Sequence, residues 1–391
     1  MNNNFIIEKA KRIQELPPYL FVEIDRLKNE ALKKGADLID LGIGDPDQKT
    51  PDFIVNALSE ALKNEENHHY PSNYGLLSLR IAIAHWYQKR FGVNLDPEKE
   101  ILPLIGSKEG IGHLPLALIN PGNVVLVPNP GYPVYQAATI LAGGEPYHLP
   151  LLKENEFLPV LENIDPFILK KTKLIFLNYP NNPTGAVANK EFFKEIVKFA
   201  DQYKIIVAHD AAYSEIYFDQ QKPLSFLEIE GAKEVGVEFH SLSKTYCMAG
   251  WRIGFVVGKA EIIEALAKVK SNLDSGVFQA IQCAATVALN DTSDFVNKLR
   301  FTYQERRDVI VDGLNKFNWK TKKPEATFYV WISVPSGYTS SELCKTLLEK
   351  AGIVTTPGIG FGKYGEGYIR VALTTDKFKL EEVIERLKKL S

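Results

Sequence analysis

From about residue 100 the chain alternates short apolar runs with longer amphipathic stretches. The runs are ILPLI (101–105), VVLV (124–127), KLIFLN (173–178), KIIVAH (204–209), VEFH (237–240) and RIGFVV (252–257). Runs that are apolar without alternation mark strands buried on both faces, and the helical stretches between them mark crossovers. The pattern predicts an α/β fold, with a mostly parallel sheet covered by helices in a three-layer arrangement. Ahead of it, 22–34, 52–63 and 76–91 carry helical spacing, and 38–43 reads as a short strand after Gly35. Beyond about 260 a long helical stretch leads into FYVWISV (328–334), GIVTTP (352–357) and YIRVAL (368–373), with one helix among them and a last one over 380–390. That order predicts a smaller α+β unit. The expected division is an arm over 1–47 that packs with the smaller unit, a large domain over 48–285 and a small domain over 286–391.

Composition narrows the function. With 46 Lys and Arg against 48 Asp and Glu, the net charge is −2. That balance gives no electrostatic footprint for nucleic acid or an anionic membrane. No apolar run approaches the ~20 residues that span a bilayer. The start reads as no signal peptide. Cys247, Cys283 and Cys344 form neither a disulfide framework nor a metal spacing. The expected compartment is therefore the cytoplasm.

In open α/β sheets ligands sit beyond the carboxyl ends of the strands. KLIFLN leads to NNPTG (181–185) with Asn182, and KIIVAH runs into Asp210 with Tyr213 nearby. VEFH leads to Ser241, Ser243 and Lys244, and Arg252 opens the next strand. ILPLI is followed by GSKEG (106–110) with Ser107 and Lys108, and VVLV by PNPGYPVY (128–135) with Tyr132. Pyridoxal phosphate needs this whole set. A lysine forms the Schiff base, and an acid keeps the pyridine nitrogen protonated so that the ring draws off electrons. Lys244 and Asp210 supply these. Asn182 and Tyr213 suit the ring oxygen, and Tyr132 suits the ring face. The N–H groups of Ser107 and Lys108, with Ser241, Ser243 and Arg252, suit the phosphate.

NNPTG, HDAAY (209–213), SLSKTYCMAGWRIG (241–254), PNPGYPVY and YIRVAL together resemble the fold-type-I, aspartate-aminotransferase-like pyridoxal phosphate enzymes of class I and II. They span nearly the whole chain. The resemblance implies a homodimer with the active site at the subunit boundary. It implies that Tyr70, in HHYPSNYG (68–75), reaches the partner's cofactor phosphate and substrate. It implies that Arg370 grips the substrate α-carboxylate beside Gly44, with Tyr132 and Asn182 close to the substrate. A guanidinium fork suits a carboxylate.

The expected reaction is transamination, with Lys244 moving the proton as base and acid. The opening over 12–47, together with SLSKTYCMAGWR, resembles LL-diaminopimelate aminotransferases of the shorter bacterial and archaeal kind. That resemblance implies LL-diaminopimelate and 2-oxoglutarate as substrates, in lysine biosynthesis. Alanine, aspartate or aromatic aminotransfer and carbon–sulfur β-elimination stay open as alternatives. GFGKYG (360–365) reads formally as GxGxxG, but a strand follows it where a dinucleotide site needs a helix. Ser241-x-x-Lys244 lacks the companions of serine acyl enzymes. His68 and His69 are adjacent, which is wrong for joint metal ligation, and no metal is expected.

Overall fold

The computed structural model describes residues 7–17, 20–317 and 319–389. Twelve strands occur among them. They are β1 (Ile39–Asp40), β2 (Ile101–Leu104), β3 (Val124–Asn129), β4 (Glu145–Pro150), β5 (Thr172–Asn178) and β6 (Ile206–Asp210), then β7 (Gly236–Ser241), β8 (Gly254–Gly258), β9 (Tyr329–Ser333), β10 (Ile353–Val354), β11 (Thr356–Pro357) and β12 (Tyr368–Ala372). Seven form one sheet in the order β2-β8-β7-β6-β5-β3-β4. β8 runs antiparallel to both neighbours, and the other pairings are parallel.

β5 shows why its sequence does not alternate. Leu174 and Phe176 pack into the core on one face, with Ile111, Leu114 and Leu266. Ile175 and Leu177 pack into the opposite core, with Ile83, Phe193 and Ile196. Both faces are covered, so the four residues Leu174 to Leu177 are apolar without alternation. β4 gave no such run. It is an edge strand, EPYHLP, mostly half-exposed, and its two prolines are tolerated there because an edge leaves N–H groups unpaired.

The second core gathers Ile39, Leu41, Tyr213, Ile310, Phe328, Val330, Ile369 and Leu380. Its sheet has the order β11-β12-β9, all antiparallel. GIVTTP is two strands rather than one: β10 pairs with β1, and β11 turns to pair with β12. The β1–β10 pairing, with Leu41 N–H donating to Val354 O at 2.9 Å, seats the opening segment against this core. The long helical stretch after 260 is three helices, Ala260–Leu273, Gln279–Leu289 and Phe295–Asn315. No helix among the described residues is long and apolar enough to cross a membrane.

Candidate active site

Parallel strands bring their carboxyl ends to one edge of the sheet. β6 ends on Asp210, β5 on Asn178, and β7 on Ser241, which caps the one-turn helix Leu242–Thr245 carrying Lys244. β8 runs the other way, so Arg252, just before it, reaches the same edge. β2 leads through Gly106 into the helix Ser107–Leu118. These elements enclose a cavity of about 480 Å³, closed on its far side by the loop at Gly44, by Tyr329 on β9 and by Arg370 on β12. Ser107, Lys108, Tyr132, Asn182, Asp210, Tyr213, Ser241, Ser243, Lys244, Arg252, Gly44 and Arg370 all line it. Tyr70 does not; it stands 96% exposed on the surface.

Asp210 is 6% exposed, and its carboxylate accepts from Tyr135 Oη at 2.8 Å and Ala212 N at 3.2 Å. Burial pushes its carboxyl above the ordinary range, and those two donors pull the other way. A cation at this point would restore the balance. Asn178 Nδ2 donates to Asp210 O at 2.8 Å, and Asn178 Oδ1 accepts from Asn182 N at 2.8 Å, which ties the ends of β5 and β6 together.

Arg370 is 1% exposed. Nη1 donates to Asn182 Oδ1 at 2.9 Å and Nη2 to Gly42 O at 2.6 Å. Its guanidinium lies 4.2 Å from the Tyr329 ring centroid and 4.8 Å from that of Phe361. Lys244 Nζ donates to Gly44 O at 3.2 Å and sits 5.5 Å from the Phe328 ring. A Cβ on Gly44 would fall 2.0 Å from Tyr329 Oη, so only glycine admits that phenol. Tyr213 Oη lies 3.1 Å from Tyr329 Oη, and burial pushes the Tyr213 phenol well above its usual range. Cys247 packs in the second core, where burial pushes its thiol up to about 12.

Among the cavity residues that escaped sequence reasoning are Tyr135, Asn178, Tyr329 and Asp45. Tyr135 lay inside a quoted motif, one turn beyond Tyr132, and Asn178 closed the run KLIFLN. Tyr329 carried no signal, because a tyrosine in a buried strand reads as core.

The donor set fits pyridoxal phosphate. The helix Ser107–Leu118 has no side-chain cap at its N-terminus, leaving its first N–H groups beside Ser241, Ser243 and Arg252. The Arg252 guanidinium packs on Gly106, where a Cβ would come within 2.4 Å of it. An uncapped helix start, two hydroxyls and a fork of N–H donors make a phosphate seat. Asp210, buried with its charge uncompensated, suits a protonated ring nitrogen, and Lys244 suits the aldehyde.

Comparison with known proteins agrees with this chemistry. An LL-diaminopimelate aminotransferase of Moorella thermoacetica is 54% identical over 384 residues, covering 98% of each chain. One of Desulforudis audaxviator is 56% identical over 380 residues, covering 97% of each. A substrate-bound BacF structure from Bacillus subtilis superposes with a TM-score of 0.95 at 41% identity, covering 99% of this chain and 98% of that one. Residues 36–387 match the family model described as aminotransferase class I and II, and the chain belongs to that family.

Proposed function

We propose that this pyridoxal phosphate-dependent aminotransferase converts LL-2,6-diaminopimelate and 2-oxoglutarate to tetrahydrodipicolinate and glutamate, in lysine biosynthesis. The observation that carries the transamination reading is one cavity in which a lysine amine, a buried carboxylate and a buried guanidinium converge. The choice of substrate is supported by full-length likeness to enzymes of that name.

When bound, the cofactor supplies an aldehyde that condenses with amines and a ring that draws electrons from the α-carbon. The chain does the rest. Arg370, in contact with the rings of Tyr329 and Phe361, binds the α-carboxylate and sets the orientation of the α-C–H bond. Lys244 Nζ takes the α-proton as base and returns a proton as acid, steered by Gly44 O. Asp210 would present its negative charge to the ring nitrogen, Asn182 and Tyr213 would serve the ring oxygen, Tyr132 would cover the ring, and Ser107, Lys108, Ser241, Ser243 and Arg252 would hold the phosphate.

The reading includes a homodimer in the cytoplasm, with Tyr70 completing the partner's site; the near-complete exposure of Tyr70 supports this. It also keeps a large and a small domain, which separate cores support, although residue 285 falls inside the helix Gln279–Leu289, whose Ala284, Ala285, Ala288 and Leu289 all pack on the large sheet. A panel of kcat/KM values for LL-diaminopimelate, alanine, aspartate and phenylalanine with 2-oxoglutarate tests the substrate. LL-diaminopimelate should lead. An alanine or aromatic donor ahead by more than about tenfold, ~1.4 kcal/mol, would overturn it.

A further inference from the structure

Tyr329 touches three residues of the site without belonging to any sequence motif that pointed there. It is 3% exposed on β9, within the second core. Its hydroxyl lies 3.1 Å from Tyr213 Oη. The same hydroxyl rests on the Gly44 backbone, where a Cβ would meet it at 2.0 Å. Its ring carries the Arg370 guanidinium at 4.2 Å. One side chain thus links the phenol that faces the cofactor, the loop that receives Lys244 Nζ and the cation that suits the substrate.

We infer that Tyr329 is a positioning residue with two separable parts: its hydroxyl donates to Tyr213 and sharpens that phenol toward the cofactor's ring oxygen, while its ring seats Arg370 for the carboxylate. This rests on the proposed placement of the cofactor against Tyr213. A phenol that gives its proton to the cofactor has only lone pairs left for its neighbour, so Tyr329 must be the donor between them. Chains of hydrogen bonds polarise one another, which makes Tyr213 the stronger donor. The ring oxygen needs that donor most when the linkage to Lys244 has lost its proton, because the oxygen's negative charge is then uncompensated. Tyr329 therefore favours the deprotonated linkage. The charged and titratable groups around the pair are Arg370 on β12, Asp210 at the end of β6, Tyr135 on the helix Val134–Leu141, Tyr303 on the helix Phe295–Asn315 and Lys244 over Phe328. None of them is altered by removing one hydroxyl.

The test is a pH titration of the visible absorption of the holoenzyme without substrate, with steady-state kinetics alongside. Tyr213→Phe should raise the titration midpoint by about one to two units, the worth of a hydrogen bond to a charged acceptor. Tyr329→Phe should raise it by about half a unit, with KM for the amino donor nearly unchanged because the ring remains. In a Tyr213→Phe background, Tyr329→Phe should add nothing. Tyr329→Leu should raise KM at least several-fold, because the ring under Arg370 is gone. If Tyr213→Phe leaves the midpoint in place, the cofactor placement itself fails and takes this inference with it. If Tyr213→Phe shifts it but Tyr329→Phe does not, or if the two shifts add in full, the placement stands and the role of Tyr329 is refuted.

Discussion

Replacing Arg370 by lysine isolates what the guanidinium does beyond carrying charge. In the structure the group is fixed from every side. Nη1 and Nη2 donate to Asn182 Oδ1 and Gly42 O, and the rings of Tyr329 and Phe361 lie at 4.2 and 4.8 Å. Lysine keeps one positive charge but presents a single rotating ammonium. It gives up one of two parallel bonds to the carboxylate, worth about 1.5–3 kcal/mol for a charged pair. It also gives up stacking on two desolvated rings, worth about 1–2 kcal/mol. The sum is about 2.5–5 kcal/mol, or about two to four decades in kcat/KM at ~1.36 kcal/mol per decade. The α-carboxylate is common to every amino donor and to every 2-oxo acid. The loss should therefore be nearly the same for LL-diaminopimelate, glutamate and alanine. Steady-state kinetics on all three, with the cofactor absorption checked for intact loading, measures it. A loss under tenfold, or one confined to a single donor, would show that Arg370 does not hold the shared carboxylate.

Three further outcomes follow from the same geometry. Asp210→Asn should retain cofactor yet slow the half-reaction with amino donor by orders of magnitude, read by stopped-flow absorbance; unchanged rates would remove Asp210 from the ring nitrogen. Tyr70→Ala and Lys244→Ala should each be impaired, and mixed under subunit exchange they should recover activity, because one site of each mixed dimer regains both groups; no recovery would argue against a shared site. Glu238 is fully buried, with His209 Nδ1 at 2.9 Å, His240 Nε2 at 2.7 Å and Phe226 N at 2.7 Å. Burial alone would raise its carboxyl, but the two histidines outweigh that and hold it well below its ordinary 4.5. A depressed carboxylate stabilises the fold fully above its unfolded value and loses that contribution as pH falls toward the folded one. Glu238→Gln should therefore cost about 3–5 kcal/mol at neutral pH, with the gap in melting temperature narrowing below about pH 4; a gap independent of pH would refute this.

What could be read from the sequence depended on how many independent demands met at one residue. Lys244 follows a buried strand and has an acid, an amide and a guanidinium at neighbouring strand ends. Only one cofactor uses that set, so each member made the others legible. The same logic placed Asp210, Asn182, Tyr213 and Arg252 along one edge before any geometry was known, because parallel strands leave their carboxyl ends together. β4 was illegible for the opposite reason. An edge strand buries little, so EPYHLP needs no apolar run and its prolines read as loop. GIVTTP was read as one strand because periodicity has no information about partners; the chain changes from β1 to β12 within it.

Tyr329 serves two purposes of which the sequence pattern shows one. Its ring belongs to the second core and its hydroxyl to the site, so one residue serves two purposes across the gap between sheets. A pattern of apolar positions registers the first purpose and is silent on the second. Gly44 has the same character. Its glycine reads as a turn, yet the pressure on it is the phenol that comes within 2.0 Å of a Cβ, from a residue 285 positions along the chain. Arg370 was placed only through the family resemblance; an arginine in a buried strand demands a partner without saying which. Polar groups in apolar settings advertise themselves, whereas apolar groups with one polar atom do not. Discrimination among amino donors belongs to the second kind. No motif marks the residues that meet the donor's distal end, so that discrimination is to be measured on donors.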